Sequence, residues 1–178
     1  IDIKINGIPF VEKFIKTCKL TKNKTFLSTD IIIDDLWKRG KKQESSKAFL
    51  VPEKYSGLST KNKINKIKRS VKEFDSFVIT SPESIAWLIN LRGGDLKYTP
   101  IVFSRMIIEK KHGIKLFIDL RKINLQIKKK LNKEFNIQIY DELKFEEELE
   151  NDSLNKTILL EKNAPYYFLS ILQSQNVN

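Results

Sequence analysis

The stretch from Phe77 to Ser104, FVITSPESIAWLINLRGGDLKYTPIVFS, limits the possible folds more than any other part of the chain. Phe77, Val78 and Ile79 are consecutive β-formers, and Ser81-Pro82 supplies a helix N-cap followed by a proline at the first helical position. A strand therefore runs straight into a helix. Ile85, Leu88 and Ile89 recur at helical spacing with Ala86 and Trp87 beside them, so the helix is expected to bury most of its circumference, Trp87 included. Gly93 and Gly94 are expected to end it by taking positive φ values. A polar bend follows from Asp95 to Pro100. Ile101, Val102 and Phe103 then begin a second β-run that continues through Met106, Ile107 and Ile108 to about Glu109.

Elements of the same size flank this stretch. Ile3, Ile5 and Ile8 around Gly7 suggest a short strand, and Pro9 to about Leu20 a helix with Phe10, Phe14 and Ile15 facing inward. Cys18 shares that spacing and reads as a small, half-buried hydrophobe; as the only cysteine it has no internal disulfide partner. Thr25–Ser28 is a brief β-candidate, and Asp30 can cap a short helix through Ile31 to Trp37. Arg39–Lys47 is polar and aperiodic, and reads as a linker separating residues 1–40 from a domain over 48–178. Ser59 or Thr60 caps a charged helix with Ile64, Ile67 and Val71 inward. A turn at Lys110–Gly113 joins the second β-run to Ile114–Ile118, a connection short enough only for antiparallel neighbours. A helix over Arg121–Lys133, a strand over Phe135–Tyr140, an acidic helix from Asp141 to about Glu150, a strand over Thr157–Leu160 and a helix over Ala164–Gln173 complete the pattern. Alternating strands and helices predict an α/β fold, a mixed sheet flanked by helices on both faces.

The net charge of +11 raises the question of nucleic acid. Lysines outnumber arginines 28 to 5 and are spread over every amphipathic segment, whereas base stacking and bidentate phosphate recognition call for interleaved arginine and aromatic residues. Lys128, Lys129 and Lys130 sit opposite the apolar side formed by Ile123, Ile127 and Leu131, as a solvated helix face would. No specific nucleic-acid binding is expected, only weak binding lost steeply with salt. No apolar run reaches 18 residues, and IDIKINGIPF lacks the layout of a secretory signal, so the expected location is cytoplasmic and away from membranes. The sequons at Asn23 and Asn155 are chance matches in an Asn-rich chain.

Thr80-Ser81-x-Glu83-Ser84-Ile85-Ala86-Trp87-Leu88-x-Asn90-x-Arg92-Gly93-x-Asp95-x-x-Tyr98-x-Pro100-x-Val102-Phe103 resembles the second domain of the Xaa-Pro aminopeptidase (aminopeptidase P) family, within the creatinase and prolidase group. Asp34-Asp35-Leu36-Trp37 and Tyr55-Ser56-Gly57-Leu58-Ser59 are similar to upstream landmarks of its long members. The resemblance implies a creatinase/prolidase N-terminal fold with a ribonuclease H-like motif, residues 1–40 forming the tail of a preceding domain. It also implies a parent enzyme that removes the residue preceding proline from peptide N-termini. Catalysis in that family belongs to a following domain holding two divalent metal ions, usually manganese, on two aspartates, a histidine and two glutamates. This segment would contribute restriction of the cleft and homodimer assembly, with its own C-terminal catalytic domain and the peptide substrates as further partners. A non-enzymatic peptide- or protein-binding module of the same fold is the alternative.

Residues that could carry chemistry here are few. His112, the single histidine, falls in the Lys110–Gly113 turn, where exposure is expected rather than ligation. Asp141, Glu142, Glu146, Glu147 and Glu148 lack the glycine bend and alternating ligands of a calcium loop. Gly93-Gly94 lacks the companions of a phosphate loop. No catalytic residue, metal ligand or cofactor is expected within these 178 residues. Arg92, Asp95 and Tyr98 stand out. Arg92 and Asp95 either pair or cap the Gly-Gly bend, or they join Tyr98 in facing the catalytic domain as the rim of its substrate cleft.

Overall fold

The computed structural model describes residues 1–21, 46–70, 73–153 and 156–174. Val71, the expectations for Thr25–Ser28, Ile31–Trp37 and most of the linker, and the sequons at Asn23 and Asn155 lie outside them. Helix α1 spans Ile8–Leu20, strand β1 Phe49–Leu50, helix α2 Glu53–Ser56, helix α3 Thr60–Ser70, strand β2 Ser76–Ile79 and helix α4 Pro82–Ile89. Strands β3 (Leu91–Arg92), β4 (Ser104–Glu109) and β5 (Gly113–Ile118) follow, then helix α5 (Leu125–Phe135), strand β6 (Ile137–Tyr140), helix α6 (Phe145–Ser153), strand β7 (Ile158–Leu160) and helix α7 (Tyr166–Ser174). The main sheet has the order β6-β5-β4-β2-β7. β4 runs antiparallel to both neighbours, whereas β5 with β6 and β2 with β7 are parallel pairs. β1 and β3 form a separate antiparallel ribbon.

Strand alternation divides the core between the two faces of the sheet. Ile79, Met106, Ile108, Leu116 and Ile118 meet Ile64 of α3, Ile85, Leu88 and Ile89 of α4, and Ile127 and Leu131 of α5. Their neighbours Val78, Ile107 and Phe117 point the other way, onto Phe145 and Leu149 of α6 and Phe168, Ile171 and Leu172 of α7. This double burial explains why the central strands read as unbroken apolar runs. At the β4–β5 hairpin Gly113 holds φ +128, and a Cβ there would lie 2.8 Å from Asn136 Nδ2.

Several local expectations are corrected. α4 ends at Asn90, which takes the left-handed conformation (φ 55) itself, and the chain passes directly into β3. Gly93 and Gly94 are not among the positive-φ residues; Gly93 serves close approach, since a Cβ would sit 3.0 Å from Val102 Cβ and 3.2 Å from the Ile101 carbonyl oxygen. Ile101–Phe103 precede β4 rather than starting it, although Ile101 and Val102 are buried. The segment around Gly7 is no strand: it makes one bridge to Pro165, and the Tyr167 N–H donates to the Ile3 carbonyl at 2.9 Å. α1 packs against α7 and buries Val11, leaving Phe10 56% and Phe14 41% exposed, stacked on each other. Cys18 is half-buried, as its spacing suggests. α5 starts after Asn124, whose side chain accepts from the Ile127 N–H at 2.8 Å, because Asp119 has already capped a separate 3-10 turn at Leu120–Lys122. Asp141 likewise caps a 3-10 turn at Glu142–Lys144, so the acidic helix begins at Phe145. Lys128–Lys130 are solvent-exposed.

Candidate functional site

β2, β5, β6 and β7 run in one direction, so their carboxyl ends share one edge of the sheet, the edge along which open α/β sheets bind ligands. The loop from Gly93 to Phe103 leads into β4 at this same edge, where Ser104 pairs with Ile118.

Asp95 organises the loop. Its side chain is nearly inaccessible; Oδ2 accepts from the Phe103 N–H at 2.7 Å and from Lys122 Nζ at 2.6 Å, and Oδ1 accepts from Ser46 Oγ at 3.0 Å. The Ser46 hydroxyl in turn accepts from the Gly94 N–H at 2.7 Å. Backbone bonds from Asp95 N to the Ile101 carbonyl (3.2 Å) and from Thr99 N to the Leu96 carbonyl (3.3 Å) close the loop. Its tip is left in solvent, with Tyr98 88% exposed and Leu96 and Phe103 each partly so. Lys97 Nζ lies 5.2 Å from the Tyr98 ring centre.

Arg92 does not pair with Asp95. Its guanidinium turns back on α4 and donates to the carbonyls of Ala86 and Leu91, satisfying oxygens at the helix end. Lys63 of α3 approaches the same end, with Nζ 2.6 Å from both the Trp87 carbonyl and Asn90 Oδ1 and 4.8 Å from the Trp87 ring centre. Lys63 is only 1% exposed, and burial, with Arg92 adding repulsion, pushes its ammonium below the usual lysine pKa. Trp87 itself is 48% exposed, which corrects its placement in the core: the indole offers its ring face to the Lys63 ammonium. It lines a groove of about 530 Å³ with Ile67, Phe77 and Glu161.

Three carboxylates at the strand ends, those of Glu161, Asp119 and Asp141, already have structural tasks. Glu161 Oε2 accepts from the N–H groups of Thr80 (3.0 Å) and Ser81 (2.8 Å) at the start of α4, and Oε1 accepts from Ser84 Oγ at 3.1 Å. Asp119 accepts from the Arg121 N–H and holds its guanidinium with two oxygens; that hydrogen bonding, against the opposing effect of burial, lowers the Asp119 pKa to about 2. Asp141 accepts from the Leu143 N–H at 3.0 Å. Lys115, between Glu109 at 2.8 Å and Glu148 at 3.0 Å, is depressed by burial but raised further by those two partners, so its pKa stands above the ordinary lysine value. Among the described residues no group of three or more His, Cys, Asp or Glu side chains could hold a metal ion. His112 is exposed at the hairpin turn. A dinuclear metal pair does not fit these side chains.

The creatinase/prolidase N-terminal domain model matches residues 39–178. The chain belongs to that family. As a creatinase/prolidase N-terminal domain it is 31% identical over 120 residues to the "Probable Xaa-Pro aminopeptidase P" of Leptosphaeria maculans, covering 66% of this chain and 20% of that protein. It is 27% identical over 161 residues to "Aminopeptidase P1" of Lotus japonicus, covering 85% of this chain and 23% of that protein. Its fold matches the crystal structure of an X-prolyl aminopeptidase from Caenorhabditis elegans, described as a cytosolic enzyme with a di-nuclear active site, with a TM-score of 0.77, 21% identity, and coverage of 84% of this chain and 24% of that one. The domain thus spans between a fifth and a quarter of these relatives.

Of the three residues singled out from sequence, Asp95 and Tyr98 lie at the carboxyl edge, one as anchor and one at the tip, while Arg92 braces the helix behind them. Sequence reasoning missed Ser46, Lys63 and Lys122. Nothing in the sequence around Lys122, which lies between Leu120 and Ile123, singles it out from the 27 other lysines.

Proposed function

We propose that this chain is a non-catalytic N-terminal portion of a cytoplasmic, manganese-dependent Xaa-Pro aminopeptidase, and that its Gly93–Phe103 loop forms part of the rim over the active-site cleft of a following catalytic domain. The observation that supports this most strongly is the loop itself. Asp95 fixes it through buried bonds at the ligand-binding edge of the sheet, while Leu96, Tyr98 and Phe103 remain unburied on its outer side. A preorganised scaffold that leaves aromatic surface in solvent suits a contact made elsewhere in a larger protein. In this reading Tyr98 and the tip touch the catalytic domain or the peptide, Asp95 and Arg92 hold the geometry, and the narrowed cleft admits a free N-terminus while excluding longer chains. Homodimer assembly is the second role proposed for the domain. The boundary near residues 40–48 separates it from a preceding domain.

The coding sequence after Asn178 provides the first test. Two aspartates, one histidine and two glutamates in the order of a metallopeptidase domain would support the proposal. A continuation lacking them would support the non-enzymatic binding module instead. The 178-residue chain alone, incubated with manganese and an Xaa-Pro-Xaa peptide, should release no amino acid above a blank, and metal-dependent release would overturn the assignment of catalysis to another domain.

A further inference from the structure

A second site lies away from that edge, and it does not depend on the enzyme assignment. A cavity of about 290 Å³ opens between the β1 segment, the N-terminus of α3 and the C-terminal turn of α5. Thr60 and Asn90 line it. Thr60 is 3% exposed, and its hydroxyl has no hydrogen-bond partner among the described residues. Asn90 is 6% exposed; its Oδ1 is taken by Lys63, but its amide N–H groups likewise have no partner among the described residues. Buried polar groups of this kind are rare and call for an occupant.

The chemistry of the floor identifies the occupant's charge. α3 is 11 residues long, and of its first N–H groups Asn62 is capped by Ser59 Oγ at 3.1 Å and Lys63 bonds to the Ser59 carbonyl, leaving those of Thr60 and Lys61 pointing out of the helix end. Such an end favours anions. Behind Asn90 stands the Lys63 ammonium, inside the protein and paired to neutral acceptors only, with no carboxylate in ion-pair contact among the described residues. Its hydrogen bond to Asn90 Oδ1 polarises the amide so that the opposite N–H groups become better donors. On the rim, Lys61 and Lys130 face Glu53 and Glu134, so the outer charges cancel and the donors of the floor decide the sign. Leu50, Ile89 and Phe135 supply an apolar wall, and the cavity is larger than a bare oxyanion requires.

We infer that this cavity binds a small organic anion, its carboxylate or phosphate head held by Thr60, the first N–H groups of α3 and the Asn90 amide, and its hydrocarbon body lying against Leu50, Ile89 and Phe135. The head adds to the negative charge of Glu53, which favours the Lys63 ammonium without being in ion-pair contact with it.

Amide and side-chain NMR of the ¹⁵N-labelled chain, titrated at constant ionic strength with inorganic phosphate, acetate or hexanoate against chloride, tests the assignment. Saturable shifts confined to Thr60, Lys61 and the Asn90 side chain are expected with at least one oxyanion. Phosphate saturating first would identify a phosphate head; acetate and hexanoate saturating first would identify a carboxylate, with hexanoate the tighter of the two. Thr60→Val should weaken binding about tenfold or more, as loss of a hydrogen bond to a charged group does. Lys61→Ala, an exposed position that leaves the core untouched, should weaken it in the same direction. Shifts that fail to saturate, that appear equally over the exposed Lys128–Lys130 face, or that persist unchanged in both variants would overturn the site. Equal affinity for acetate and hexanoate would overturn the role of the apolar wall.

Discussion

Replacing Asp95 with alanine removes the central fastening of the loop, and its cost follows from what is left behind. Lys122 keeps its ammonium in a nearly closed position, its side chain 10% exposed, after losing the carboxylate 2.6 Å away. Breaking a buried pair by deleting one partner costs about 3–5 kcal/mol, because the surviving charge is stranded. The Phe103 N–H, which donated at 2.7 Å, is orphaned as well, a loss of about 1–3 kcal/mol taken alone. The two overlap, since loosening of the loop lets water reach both groups, so about 3–5 kcal/mol is expected for Asp95→Ala, against a total of about 5–15 kcal/mol for a domain. Urea unfolding gives the value. Adding Lys122→Met should restore much of the loss, because an apolar side chain of similar length removes the stranded charge. A cost below about 1 kcal/mol, or a double variant whose cost is the sum of the two singles, would refute the claim that this ion pair builds the loop.

Asp119 carries a pH signature. Its folded pKa of about 2 lies below the usual 3.8, so its contribution is fully present above about pH 4 and is lost as pH falls toward 2, where the unfolded chain binds the extra proton. Arg121→Ala should flatten this part of the stability profile between pH 4 and 2, and an unchanged slope would contradict the assignment. Gly113→Ala, at φ +128 with its Cβ 2.8 Å from Asn136 Nδ2, should cost about 1–3 kcal/mol in thermal or urea unfolding, and a neutral result would show that the β4–β5 turn can relax.

The sequence was legible where the instruction is local. Ser81 and Pro82 start α4, and Ser81 Oγ accepts from the Ser84 N–H as a cap should. The apolar runs flanking Lys110–Gly113 form the hairpin at the centre of the mixed sheet. Periodicity misled where two faces compete for the same turn of helix. Phe10 and Phe14 share a stripe, yet the smaller Val11 is the residue of α1 that is buried, and Trp87 lies beside Lys63 in place of the core. The candidate loop was legible as a loop but not in its construction. Asp95 looked for its cation three residues away in Arg92, whereas the fold brings it Lys122, 27 residues on, and Ser46, 49 residues back. Such pairings are set by strand order, and nothing in the identity of one lysine among many announces them. The burial of Lys63 was hidden for the same reason, because the carbonyls that receive it belong to a helix end formed 24 residues later.

The central claim is that the Gly93–Phe103 tip narrows a substrate cleft from outside. Its most direct test is the dependence of kcat/KM on peptide length, measured for the full polypeptide carrying this domain with Xaa-Pro peptides of increasing length, comparing Tyr98→Ala with the unaltered enzyme. Tyr98 is 88% exposed, so its removal should leave folding intact. The account predicts that turnover of the shortest peptide is preserved while discrimination against long peptides weakens. An unchanged length dependence, with the variant as stable as the parent, would contradict it.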